Sequence, residues 1–179
     1  MVPAPNSPIH QRGRKIAEAV VWASLALAWA ASLVLWWGHK ALAADGSLGL
    51  RICSSGSDCA TVLRSPRAIL WGVPLAGWGM LYFSALAGWL AFRGLPAGRR
   101  RRDLATVAWV VLGAVVSGCC LHWMGKIAGA FCPWCCATHA LNFLLAAVVV
   151  ACWLGRDAPR PRLRWGLAAP AGAARPSWR

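Results

Sequence analysis

Eight cysteines are the residues of this 179-residue chain whose type and spacing could do chemistry. Cys132-Pro133-Trp134-Cys135 separates two thiols by two residues, a spacing that suits a reversible disulfide. If a helix begins here, Cys132 is its N-cap, Pro133 takes the first helical position and Cys135 takes the third. The positive end of the helix dipole is then expected to lower a thiol pKa at this position. The motif therefore predicts thiol–disulfide redox chemistry.

A second pair, Cys53 and Cys59, lies in the stretch 38–67 between two apolar runs. Loops of this length are uncommon and are often functional. We expect a short helix in this loop, capped by Ser57 or Asp58 and ending before Pro66. The flanking apolar runs are long enough to cross a membrane, and the apolar side of the short helix is expected to lie against the membrane surface.

The two pairs together could instead bind zinc or form structural disulfides. Four thiolates are the right number for zinc, but the five residues between Cys53 and Cys59 are unlike a zinc knuckle. An outward-facing pair also meets an oxidising compartment, which favours a disulfide over a metal. Redox chemistry is the preferred interpretation, and no metal site is predicted.

Cys132, Cys135, His139 and Asn142 follow one another at steps of three, four and three residues. Such steps place all four on one stripe of a helix. Polar groups in a spanning helix face the bundle or a cavity, so the dithiol is expected to open into a pocket that carries an imidazole and an amide. Whether His139 is functional or merely packed stays open, and Cys136 is interpreted as packing.

The other cysteines lie within predicted helices. Cys119 and Cys120, near His122, could bind a soft metal, but small buried thiols are more often packing residues. Cys152 is also interpreted as packing.

The composition indicates the elements that must position these thiols. Apolar residues make up 59% of the chain and charged residues 13%, yet the net charge is +14. Four apolar stretches, 16–37, 68–92, 104–124 and 133–154, reach the length of about 20 residues that a spanning helix needs. The first could be a signal peptide, but its apolar core is too long for one. We expect an all-α integral membrane protein, a four-helix bundle whose long outer loop carries a short helix.

The basic residues predict the orientation of this bundle. Of 19 Lys and Arg, 14 fall before the first span, between the second and third, or after the fourth. By the positive-inside rule these segments, and so both termini, are cytoplasmic, while the cysteine-bearing loops face outward. The charge is then an orientation signal aided by membrane lipid, and no nucleic acid is expected as a partner. Residues 1–15 form a cytoplasmic segment, 16–155 the membrane domain, and 156–179 a basic, disordered cytoplasmic tail.

Taken in order, these elements resemble the vitamin K epoxide reductase family, and its bacterial members most. The resemblance covers about residues 15–155. The DsbB-like disulfide oxidases also have four helices and two cysteine pairs, but there the CxxC pair comes first along the chain. The elements that carry the resemblance are Cys53, Cys59, Ser65, Gly72-Val73-Pro74 and Cys132-Pro133-Trp134-Cys135.

The resemblance implies roles for particular residues. Cys53 would be the cysteine that faces a partner protein, Cys59 would exchange its disulfide with Cys132, and Cys135 would lie nearest a quinone, either ubiquinone or menaquinone. His139 stands where many relatives have Tyr. The residues implied to contact the quinone or shape its pocket are His139, Ser65, Asn142, Leu63 and Pro74.

The implied activity is a quinone-dependent membrane thiol–disulfide oxidoreductase of the bacterial inner membrane. It would reoxidise a periplasmic thioredoxin-like or DsbA-like protein, and its cysteines would lie on the periplasmic side. Many bacterial relatives carry a fused thioredoxin-like domain, which the 25 residues after Leu154 cannot hold, so a separate partner is expected. Two alternatives stay open: reduction of a quinone or quinone epoxide in the vitamin K sense, and soft-metal binding or transport.

Overall fold

The computed structural model describes residues 8–44, 58–96, 101–128 and 130–155. Four long helices dominate it: α1 (Pro8–Ala44), α3 (Leu75–Arg93), α4 (Leu104–Ala128) and α5 (Pro133–Leu154). A short helix, α2 (Cys59–Arg64), precedes a two-stranded hairpin of β1 (Ile69–Leu70) and β2 (Val73–Pro74). Within these residues four helices are long and apolar enough to cross a membrane, so the prediction of an all-α membrane protein is confirmed. Cys53 and the tail 156–179 lie outside the described residues.

The first helix is longer than the apolar run that predicts it. It has 37 residues, or about 55 Å, against a bilayer core of about 30 Å. No proline interrupts residues 9–44, and a helix without a breaker continues beyond the bilayer. Its last turns therefore reach the end of the bundle where α2, the hairpin and the start of α5 also lie. We call this end the cysteine end.

The helices meet around one apolar core. Helix α1 packs against α3 and α5, and α4 packs against α5. Each helix contributes side chains that are almost fully buried, among them Val21, Leu86, Val110 and Leu145. Large apolar side chains on the opposite faces are exposed, including Leu27, Leu81 and Leu112. Apolar surface on both faces of a helix is the pattern of a membrane bundle, because its outer faces meet lipid.

The hairpin corrects the predicted start of the second span. The apolar run begins at residue 68, but the helix begins only at Leu75. Trp71 and Gly72 both have positive φ, 51° and 76°, which is the backbone of a two-residue hairpin turn. Glycine adopts this conformation without a Cβ clash, so Gly72 lets the chain reverse and Pro74 then leads into α3.

Helix α2 lies where the sequence predicts a short helix, with two differences. Asp58 is its N-cap residue, but the Asp58 side chain makes no capping hydrogen bond. The helix ends at its C-cap Ser65, whose backbone is extended before Pro66, as expected. Its apolar side faces inward, because Leu63 is buried in a cluster with Leu35 and Met124. The prediction that this side lies on the membrane surface is therefore wrong.

The facing of α5 can be tested with two neighbouring leucines. Leu145 is 1% exposed and Leu144 is 46% exposed. We expect Leu145→Ala to lower the free energy of unfolding by about 2–5 kcal/mol, because it leaves a cavity in the core. Leu144→Ala should change it far less. Thermal unfolding of both variants in the same detergent measures this difference, and equal losses would contradict the assigned face.

Candidate active site

The CxxC motif begins α5 as the sequence predicts. Cys132 is the N-cap, its sulfur accepts a hydrogen bond from the Cys135 amide at 3.4 Å, and Pro133 opens the helix. Proline is well suited to that position because its missing N–H would have no partner there. The capping bond holds the two cysteines against each other at the start of the helix.

The loop helix brings a third cysteine to this motif. The Sγ atoms of Cys59 and Cys132 lie 2.6 Å apart, and both residues are fully buried. The two residues are 73 positions apart in sequence, so the contact depends on how α2 sits on the bundle. At this distance the sulfurs are positioned for thiol–disulfide exchange, which requires direct attack of one sulfur on another.

His39 ties the loop helix to the end of α1. Its Nδ1 lies 3.1 Å from the Leu63 carbonyl oxygen, and because a carbonyl only accepts, Nδ1 carries the proton. Ser65, one residue after α2, accepts a hydrogen bond from the Arg67 amide at 3.3 Å. The His39 bond thus fixes the C-terminal end of α2 to α1, and the Ser65 bond shapes the turn that follows α2.

The electrostatics of Cys132 differ from the prediction. The side-chain hydrogen bond with Cys135 raises the pKa of the Cys132 thiol above its usual range, and burial raises it further. The hydrogen bond with Cys59 and the Cys135 amide act in the opposite direction and do not outweigh these causes. The net direction of the pKa shift at Cys132 is therefore opposite to the lowering expected from the helix dipole.

A cavity of about 620 Å³ opens beside the dithiol. It lies between α3, α4 and α5, with the end of α1 and helix α2 at the cysteine end, and its walls are largely apolar. A large apolar cavity with a few polar groups is the usual form of a small-molecule site. All five residues implied to contact a quinone line it, together with Cys135: Leu63, Ser65, Pro74, Cys135, His139 and Asn142.

The cysteines differ in their access to this cavity. Cys135 lines it, whereas Cys132 and Cys59 are buried beside it and do not. The order from the loop to the cavity is thus Cys59, Cys132, Cys135. Cys136 packs against the same cluster without lining the cavity.

Several cavity residues were not predicted. Tyr82 and Ser117 lie on α3 and α4, and Arg67 stacks over the ring of Trp123 at 5.2 Å. Tyr82 had one available signal, since it is the only Tyr in the chain and lies in an apolar span. The others could not be found from spacing, because residues on different helices converge only in the folded bundle.

The described residues contain no group of three or more His, Cys, Asp or Glu side chains that could hold a metal ion. Of the vicinal pair, Cys119 is exposed on the outside of the bundle, while Cys120 lines the cavity. The two thiols therefore point in different directions and do not form a common ligand set.

Four apolar helices, a paired thiol at a helix start and an adjoining apolar cavity define a membrane redox protein. The family model of the Vitamin K epoxide reductase family matches residues 19–150, which is most of the chain. The chain belongs to the vitamin K epoxide reductase family, and the family supports a membrane oxidoreductase. A search of the curated proteins finds no match to the chain, and neither does a search of the solved structures.

The contact between Cys59 and Cys132 makes a covalent prediction. If Cys135 is replaced by Ser, Cys132 loses its neighbour in the CxxC motif, and its nearest sulfur is that of Cys59. We expect Cys135→Ser, gently oxidised, to accumulate a Cys59–Cys132 disulfide, detected by mass spectrometry of proteolytic fragments. Adding Cys136→Ser should leave this product unchanged. A product linking Cys132 to Cys136 instead would contradict the position of α2.

Proposed function

We propose that this protein is a quinone-dependent membrane thiol–disulfide oxidoreductase that reoxidises a periplasmic thioredoxin-like protein. The main support is the order of the three cysteines, from Cys59 through the buried Cys132 to Cys135 on the cavity wall. Such an order lets electrons pass by disulfide exchange from a loop to an apolar cavity without an open path for water.

The first transfers take place between cysteines. A thiolate of the partner attacks the Cys53–Cys59 disulfide at Cys53, and the partner leaves oxidised when its second thiol resolves the mixed disulfide. Cys59 and Cys53, now reduced, then exchange with the Cys132–Cys135 disulfide through the contact between Cys59 and Cys132. Each exchange moves two electrons and leaves two new thiols behind.

The cavity fits a quinone by its chemistry. Its walls are apolar and its volume is that of a small-molecule site, while His139, Asn142 and Ser65 add a few polar groups that could orient carbonyl oxygens. A bound quinone supplies the two-electron acceptor, and the two thiols of Cys132 and Cys135 supply the electrons and protons. Cys132 is fully buried, so water is excluded from its side chain, and Cys135 lines the cavity.

The charge distribution supports a location for this reaction. With 14 of 19 basic residues outside the cysteine-bearing loops, the positive-inside rule favours cytoplasmic termini and a periplasmic cysteine end in a bacterial inner membrane. An oxidising periplasm is the compartment in which disulfide formation is useful.

The proposal is tested with purified protein, a reduced DsbA-like substrate and a short-chain ubiquinone or menaquinone. We expect quinone reduction, followed by absorbance, and we expect Cys132→Ser or Cys135→Ser to abolish it because each removes a sulfur of the pair. Cys53→Ser should block the protein substrate but spare a small dithiol.

Cys152→Ser is the matched control, since this thiol lies near the opposite end of α5 and outside the cavity. It should retain the activity. Full activity of Cys135→Ser would overturn the proposal, as would a protein that binds quinone but never reduces it.

A further inference from the structure

Three polar side chains from three helices meet deep in the cavity. The Tyr82 hydroxyl donates to Asn142 Oδ1 at 3.3 Å, and Asn142 Nδ2 donates to Ser117 Oγ at 2.9 Å. Asn142 lies nine residues after Pro133, so this network is about 14 Å along α5 from the CxxC end. All three residues line the cavity, although Asn142 and Ser117 are only 3% and 4% exposed.

Tyr82 is held in place by a glycine as well as by its hydrogen bond. A Cβ added at Gly113 of α4 would overlap the Tyr82 hydroxyl and lie 2.6 Å from the ring carbon Cζ. The only side chain that fits at position 113 without moving Tyr82 is therefore the hydrogen of glycine. The Tyr82 ring also makes an edge contact with the ring of Phe83, with 5.0 Å between the ring centroids. Gly113 therefore leaves the space on α4 that the Tyr82 ring occupies.

The hydrogen bonds of Asn142 leave a donor for a ligand. A carboxamide has two N–H donors and one oxygen acceptor, and here one N–H is used by Ser117 while the oxygen accepts from Tyr82. Asn142 lines the cavity, so its second N–H is the donor that remains for a molecule bound there. The Tyr82 hydroxyl donates to Asn142 Oδ1 and so fixes the orientation of the amide group. This orientation determines the direction in which the second N–H points.

We propose that Tyr82 is a positioning residue that orients the Asn142 amide so that it donates to the quinone oxygen farther from Cys135. This inference rests on the proposed function and adds a polar contact to it at the deep end of the cavity. His139, one turn of α5 nearer the dithiol, is about 4.5 Å from Asn142 along the helix axis. The stripe therefore offers one polar group toward each end of a quinone ring.

The role of the amide follows from the balance of the reaction. Two thiols become one disulfide and the quinone becomes a quinol, so the two electrons and the two protons all come from Cys132 and Cys135. Negative charge develops on the quinone oxygens as the electrons arrive, and a fixed N–H donor in a dry cavity stabilises it. Tyr82 and Asn142 donate hydrogen bonds and transfer no proton.

Tyr82→Phe tests the inference, because it removes the hydroxyl and keeps the ring. Quinone binding is measured first, without turnover, by quenching of tryptophan fluorescence, since Trp78, Trp109 and Trp123 line the cavity. We expect Kd to rise about fivefold and kcat to fall about tenfold, as for loss of one oriented donor. Gly113→Ala, which displaces the Tyr82 hydroxyl while leaving it present, should have the same effects.

Ser84→Ala is the matched control. Ser84 lies on the same helix, accepts a hydrogen bond from Trp29 at 3.0 Å and is outside the cavity, so its loss should leave Kd and kcat unchanged. Infrared spectra of quinone labelled with ¹³C at one carbonyl give a direct signature. One carbonyl stretch should be lowered in the native protein and should shift back in Tyr82→Phe.

Unchanged Kd, kcat and carbonyl stretch in a folded Tyr82→Phe would overturn the inference, and so would equal losses in Ser84→Ala. Should Tyr82→Phe not fold, Ser117→Ala tests the same amide from its other side, with the same outcomes. If the native protein binds quinone but does not reduce it, the proposed function is wrong. The shift of the carbonyl stretch in Tyr82→Phe then still tests whether Tyr82 orients Asn142 toward the quinone.

Discussion

The contact between the sulfurs of Cys59 and Cys132 is the interaction on which the rest of the site depends. It joins a loop helix to the start of a membrane helix across 73 residues, inside a cluster that contains Leu35, Leu63 and Met124. The long α1 makes it possible, because the His39 side chain reaches the Leu63 carbonyl from the last turns of that helix. Without this position of α2, Cys59 would not contact Cys132.

The membrane setting explains how the remaining polar groups are arranged. A bundle in lipid must satisfy its hydroxyls internally, and Ser32 and Thr138 do so by donating to backbone oxygens four residues back on their own helices. Other side chains bond across helices, and one such network, formed by Tyr82, Asn142 and Ser117, lies at the deep end of the cavity. An apolar cavity with polar groups placed along one helical stripe can hold a flat ring in one orientation.

Features that depend on local sequence could be predicted. The four spans follow from apolar length, Cys132 as N-cap follows from Cys-Pro, and the facing of Cys135, His139 and Asn142 toward one cavity follows from helical periodicity. The start of α3 could not be predicted from hydropathy, because Ile69, Leu70 and Val73 are apolar whether they form a strand or a helix, and the turn at Trp71-Gly72 decides between them. The burial of the apolar side of α2 and the close approach of Tyr82 to Gly113 depend on contacts between distant segments, which a single sequence does not reveal.

We propose that the loop cysteines and the CxxC pair form one electron path that ends at the cavity. Counting electrons tests it most directly: fully reduced protein is mixed anaerobically with excess short-chain quinone, and the quinol formed per chain is measured. We expect two quinols for the native protein, one for each cysteine pair, and one quinol for Cys59→Ser, in which Cys132 and Cys135 are the only intact pair. A native protein that stops at one quinol, with Cys53 and Cys59 still reduced, would contradict it.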